Sequence, residues 1–97
     1  MDIKKRHTDN QLIVTLSGEL NTMTAPQFSD AMQEEVNKGE SIIIDMTDVP
    51  YVTSAGIRVL LALDASNGGK PVILRGVCDE IREVLELTGL DAIMNIE

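Results

Sequence analysis

The sequence predicts an α/β fold: one domain, residues 1–97, with a mixed but mainly parallel β-sheet, helices packed mostly on one face, and the element order β-β-α-β-α-β-α-β. Three observations point there. Residues 11–17 alternate, with Leu12, Val14 and Leu16 on one side and Ile13, Thr15 and Ser17 on the other, as in a strand with one buried face. Ile42-Ile43-Ile44 is a continuous apolar run, as in a central strand covered on both faces. Helix-period stretches then alternate with strands, which implies parallel pairing through right-handed crossovers. Crossovers that all step the same way place every helix on one face and leave the other at least partly wet. A chain of 97 residues allows one domain.

Residues 2–7 read as a short polar edge strand, with Ile3 its only strong apolar residue. Thr8-Asp9-Asn10 is a turn cluster that makes a hairpin with the strand at 11–17. Gly18-Glu19-Leu20-Asn21 is the next connection. Thr24 and Gln27 have capping-box spacing, Pro26 lies in the tolerant first turn, and the first helix is expected to run to about Asn37 before Gly39. Its stripe is Phe28, Ala31, Met32 and Val36, with Asp30, Gln33, Glu34 and Asn37 toward solvent. The strand at 41–46 ends near Asp45, and Thr47-Asp48-Val49-Pro50 reads as a turn.

The stretch Tyr51 to Leu63 organises the rest. Thr53 or Ser54 can start a helix there, and either hydroxyl has the chemistry to accept from the free first-turn amides. A serine at that corner lies at the positive end of the helix dipole, which suits an anion such as phosphate. The helix carries two apolar stripes: Gly56, Val59, Leu60 and Leu63 on one face, Ser54, Ile57, Arg58 and Leu61 on the other. Ile57 and Leu61 are therefore either core residues of a covered helix or part of a partner-binding patch around Ser54. Asn67-Gly68-Gly69 closes this helix. A strand follows at 71–74 with Pro71 first. A third helix spans about 79–88, buried through Ile81, Val84, Leu85 and Thr88 and capped by Gly89. A short strand at 92–96 completes the chain.

Composition narrows the function. Aromatics are only 2% of the chain and Trp is absent, so a base-stacking surface has nothing to stack with. A net charge of −8 argues against a nucleic-acid partner and fits a protein partner with a basic face. Cys78 stands alone, which excludes an internal disulfide and leaves no paired zinc-ligand spacing; it reads as a buried or half-buried small hydrophobe. The start of the chain is polar and no apolar run approaches the ~20 residues of a membrane span, so a cytoplasmic address without membrane insertion is expected.

Catalytic readings fail on the residues. Ser54 is not in a G-x-S-x-G elbow, and the only histidine, His7, falls on a predicted edge strand as a solvent-exposed side chain. Asp45 ends a central strand as a phosphoacceptor aspartate does, but no acidic pair follows the first long strand to hold Mg²⁺. Asp45 and Asp48 supply too few oxygens for a hard cation and read as turn and cap residues. A non-enzymatic chain without a cofactor is expected.

Over nearly its whole length the chain resembles the STAS domain family of bacterial anti-sigma factor antagonists. Gly18-Glu19-Leu20-Asn21 is similar to the family's G-E-L-D-type turn. Asp48 to Leu60 is similar to its D-x-S-x-x-D-S-S-G-type loop and following helix, and Leu87-Thr88-Gly89-Leu90 to the end of its last helix. The resemblance implies a STAS fold and a partner switch. The antagonist binds an anti-sigma factor that is also a serine kinase. That kinase, with ATP and Mg²⁺ held on itself, phosphorylates the serine two before the glycine, which is Ser54, and so releases the antagonist; a PP2C-type phosphatase resets it. The implied partner surface comprises Asn21, Thr53, Ser54, Ala55, Gly56, Ile57, Arg58 and Leu61, on a domain that is a monomer when free. Asn21 and Thr53 stand where the family often has Asp. The alternative within the resemblance is an accessory subunit or regulatory domain of a lipid or anion transporter, binding a transporter protein without phosphorylation.

Overall fold

A computed structural model describes residues 1–97. The elements are β1 (Asp2–Thr8), β2 (Gln11–Ser17), α1 (Ala25–Gln33), β3 (Ser41–Asp48), α2 (Ser54–Ser66), β4 (Val72–Arg75), α3 (Asp79–Leu87), a 3-10 turn (Leu90–Ala92) and β5 (Asn95–Ile96). The sheet runs β1-β2-β3-β4-β5, with β1 antiparallel to β2 and every later pair parallel. This is the mixed, mainly parallel sheet the sequence predicts.

One face of the sheet builds the core. Leu12, Val14 and Leu16, Ile42, Ile44 and Met46, and Val72 and Leu74 pack there with Phe28, Met32, Leu60, Leu63, Ile81 and Leu85 from the helices. The other face carries Ile13, Ile43 and Ile73 in register across β2, β3 and β4, with Arg6 opposite Ile13. Ile43 is nevertheless only 3% exposed. Its two in-register isoleucine neighbours shield it, so the continuous run marks the sheet's centre and not a second helical layer.

Three boundaries and one buried face differ from the sequence expectations, each for a local reason. Strand β3 reaches Asp48 instead of ending at Met46, because a bulge sets Thr15 opposite Asp45 but Ser17 opposite Asp48. Asp45 is the brace at that bulge: its Oδ1 accepts from the Thr47 amide at 3.0 Å and the Thr47 hydroxyl at 2.6 Å. These bonds hold the Asp45 carboxyl below its ordinary range.

Helix α1 stops at Gln33 rather than Asn37, and Asn37 turns back at φ 59 to donate its amide to Asn67 Oδ1 at 3.1 Å. The last strand is only Asn95–Ile96, because Ile93 and Met94 donate their amides to the Leu90 carbonyl in a tight turn after Gly89. On α3, Ile81 and Leu85 are buried, but Val84 and Thr88 are exposed, and the Thr88 hydroxyl folds back onto the Val84 carbonyl at 2.8 Å. Cys78 is half-buried, as expected.

Two buried polar residues were not anticipated from the sequence. Asn67, fully buried, donates to the carbonyls of Glu40 at 2.9 Å and Lys70 at 3.1 Å and so ties three loops together. Glu35, 6% exposed, is ringed by Lys5 at 3.6 Å, His7 at 3.3 Å and Lys38 at 3.4 Å. Burial pushes the Glu35 carboxyl up, but Lys5, Lys38 and His7 outweigh it and hold it below 4.5. His7, exposed on β1, also meets Glu40 at 3.2 Å, and chiefly that bond raises its pKa above 6.5.

The pH dependence of stability follows from these two directions. His7 gains its partners only when folded, so its contribution is full below 6.5 and fades as pH rises through its raised folded value. Glu35 contributes above 4.5 and fades as pH falls through its depressed value. Urea titrations of wild type should therefore show stability falling as pH rises above 6.5. In His7→Gln that decline should vanish while the acid limb from Glu35 remains; an unchanged alkaline decline would reject the assignment.

Candidate functional site

The site lies at the C-terminal ends of β2 and β3, where two loops run side by side. Leu20 joins them. Its amide donates to the Tyr51 carbonyl at 3.0 Å and its carbonyl accepts from the Thr53 amide at 2.9 Å, completing an isolated parallel bridge between Leu20 and Val52. The Leu20 side chain is fully buried directly beneath α2. Gly56 is the contact point: a β-carbon there would stand 2.7 Å from Leu20 Cγ and 2.9 Å from the Leu20 carbonyl. Gly56 is buried and faces the domain, so its part in the site is to let α2 settle onto this loop.

The first loop is organised by Asn21 rather than by the expected Thr24–Gln27 box. Asn21 Oδ1 accepts from the amides of Met23 at 2.9 Å and Thr24 at 3.1 Å, an Asx turn that leads into α1. Thr24 gives its hydroxyl to the Glu19 carbonyl at 2.8 Å and accepts from the Asn21 amide at 2.8 Å, so it braces the loop from within. Gln27 reaches the carbonyl of Met1 instead, at 3.2 Å.

At the second loop Thr53 is the N-cap of α2 in extended conformation, but neither it nor any neighbour makes a side-chain cap bond. The Thr53 Oγ1 is buried and has no partner. Ser54, the first helical residue, is exposed. The leading amides of α2 thus lack a side-chain acceptor beside an exposed hydroxyl, at the positive end of the helix. Arg58, one turn on, is exposed as well, while Ala55, Ile57 and Leu61 are half-buried.

Ile57 and Leu61 are neither wholly core nor wholly exposed. They pack against the edge of the core and keep part of their surface in water. Six of the eight expected site residues present surface at this corner, while Gly56 and the Thr53 hydroxyl turn inward. Sequence patterning did not single out Met23 and Tyr51, which are 85% and 52% exposed on the same two loops. Their signal was available only as large apolar residues next to turn chemistry. No group of His, Cys, Asp or Glu side chains is arranged to hold a metal ion.

The orphaned hydroxyl has a measurable consequence. A buried unpaired hydroxyl is costly, and replacing it with an apolar group of the same shape is neutral or stabilising. Thr53→Val should leave stability unchanged or raise it by up to about 1 kcal/mol in urea unfolding, since no cap bond is lost. A loss of about 1 kcal/mol or more would mean that the hydroxyl does cap α2 in solution.

Comparison with known proteins agrees with this architecture. The family profile described as "Mlab, STAS domain" matches residues 3–95. The anti-sigma-B factor antagonist of Listeria monocytogenes is 31% identical over 100 aligned residues, which cover 100% of this chain and 87% of that protein. A crystal structure of an anti-sigma factor antagonist from Mycobacterium paratuberculosis superposes with a TM-score of 0.80 at 27% identity, covering 98% of this chain and 83% of the other. The Bacillus cell fate determinant SpoIIAA, solved in its phosphorylated form, shares the fold at a TM-score of 0.72 and 20% identity, over 99% and 91% of the two chains. No helix is long and apolar enough to cross a membrane. With a profile match over almost every residue and a relative that aligns along the whole of this chain, the chain belongs to the STAS domain family.

Proposed function

We propose that this chain is an anti-sigma factor antagonist that binds an anti-sigma factor with serine kinase activity and is released when that kinase phosphorylates Ser54. The single observation that carries the reading is the exposure of Ser54 at the first position of α2, beside amides that no side chain caps. A visiting kinase can reach the hydroxyl without unfolding anything. Membership in the STAS family and relatives named as antagonists support the same role.

The proposed chemistry is a phosphoryl transfer. The Ser54 oxygen attacks the γ-phosphorus of ATP held with Mg²⁺ on the kinase, the bond to the β-phosphate oxygen breaks, and the hydroxyl proton leaves to a base on the kinase. A phosphoserine carries about −1.5 to −2 charges at pH 7. On this domain the uncapped first-turn amides of α2 would stabilise that charge without a change of fold, and the exposed Arg58, four residues on along the same helix face, is the cation within reach of it. In the complex, the same charge lands beside this domain's own apolar surface of Ile57 and Leu61, where desolvating it disfavours the contact. A PP2C-type phosphatase would hydrolyse the ester and restore binding.

The alternative, docking of the same corner on a transporter subunit, requires no phosphate. Incubation of the wild type and Ser54→Ala with the cognate kinase and ATP, followed by peptide mass spectrometry, separates the two. One phosphate on Ser54, absent from the Ala variant, is the expected result; phosphate only on another residue rejects the site. Ser54→Asp should bind the anti-sigma factor at least ~10-fold more weakly and yet melt within a few degrees of wild type, because a carboxylate at a helix start is tolerated. An equally tight complex from the Asp variant would count against gating by charge.

A further inference from the structure

We propose that Met23 and Tyr51 are the anchor side chains through which this chain selects its partner, each seating in an apolar pocket of an anti-sigma factor whose surrounding surface is basic. The inference rests on the function proposed above and names the kind of surface that fits it.

The two residues break the pattern of their own types. Of the five methionines, Met32, Met46 and Met94 are buried and Met1 is half-buried, whereas Met23 is 85% exposed. Of the two aromatics, Phe28 is fully buried and Tyr51 is 52% exposed. Nothing in the packing of the domain requires either side chain to stand in water. Scattered single apolar residues on a surface need no explanation. These two, however, flank one backbone bridge at the end of the sheet that carries Ser54.

Both are held in place before any partner arrives. The Met23 amide is bonded to Asn21 Oδ1 at 2.9 Å, and the Tyr51 carbonyl accepts the Leu20 amide at 3.0 Å. Pre-ordered backbones reduce the entropy lost on association. Tyrosine is enriched among the residues that dominate interface energies, and methionine adapts its shape to irregular apolar pockets. The charge around them fixes the sign of the partner. Glu19 on the first loop and Asp48 at the end of β3 are exposed, in a chain of net charge −8, so the complementary rim is basic. Ser54 shares a stripe of α2 with Ile57 and Leu61, so a phosphate there meets the apolar part of the interface.

The test uses the full chain and each purified anti-sigma factor kinase encoded in the same genome. Binding kinetics and melting curves are measured for wild type, Met23→Gln, Tyr51→Ser and the control Leu87→Gln, whose side chain is 80% exposed on α3. Wild type should bind one of these kinases. Met23→Gln and Tyr51→Ser should each weaken that complex about 30-fold or more, mainly through faster dissociation. Met23→Gln should melt like wild type, because that side chain is already in water. Tyr51→Ser should stay folded and melt within a few degrees of wild type, because Tyr51 is 52% exposed. Leu87→Gln should bind like wild type. If the two variants bind as tightly as wild type, the anchors are refuted and the partner switch stands. A comparable loss in Leu87→Gln would refute them as well, since any exposed apolar residue would then serve. Failure of wild type to bind any of the kinases overturns the proposed function and the anchors together.

Discussion

The structure depends on Leu20. Its side chain is fully buried under Gly56, its amide holds Tyr51 and its carbonyl holds Thr53. One residue therefore sets the height of the second loop above the sheet, the entry of α2, and the spacing between the two loops that form the site. The bonds are backbone to backbone, so they impose geometry without using up side-chain chemistry. Gly56 is the complement to this arrangement, because any β-carbon would push α2 away from Leu20 and carry Ser54 with it. The site is positioned by packing in the core and not by contacts among its own exposed groups.

The polar features separate along the sheet. At the end remote from Ser54, Asn67 and the Glu35 cluster bind loops with satisfied hydrogen bonds and ion pairs. That end is closed. At the Ser54 end one buried hydroxyl lacks a partner and the α2 amides lack a side-chain acceptor. Unsatisfied groups are rare in folded proteins and collect where the surface is used. The domain has concentrated its incomplete hydrogen bonding at the corner proposed to meet another protein.

Much of this was legible in the residues. The Leu12–Leu16 alternation identified the face of β2, and the strand–helix alternation identified the parallel order and the one-sided layer of helices. The position of Ser54 at the start of α2 was also readable, because the β3–α2 junction is written in turn and cap residues. The failures share a cause. Asn21 organising the turn before α1 in place of a Thr24–Gln27 box, Glu35 turning inward, Asn67 reaching Glu40, and Leu20 receiving Gly56 are all contacts between segments distant in sequence or competing choices among adjacent turn residues. Local pattern ranks such choices poorly, since tertiary partners decide them. The exposed state of Val84 has the same origin: periodicity marked it apolar, but only the seating of α3 on the core, through Ile81 and Leu85, decides which flank is covered.

Asn21 and Thr53 raise the question of how a family switch tolerates two neutral residues where acids are common. The geometry gives an answer for each. Asn21 works through one oxygen that accepts two amides, and an amide oxygen does this as well as a carboxylate oxygen, so the loop keeps its form without the charge. Thr53 works through its backbone amide bonded to Leu20, and its hydroxyl has no partner at all. Neither position needs an acid to hold the fold. Their neutrality lowers the negative potential beside Ser54, which makes a phosphate easier to bear on this domain. Release in the proposed switch then rests on the contact itself, where Ile57 and Leu61 of this chain put apolar surface on the helix stripe that carries Ser54 and a phosphate would have to be desolvated. Release in a switch built this way is governed by desolvation across an apolar contact more than by repulsion between fixed charges, so added salt should change the effect of the phosphate less than it changes the encounter of the acidic domain with a basic partner surface.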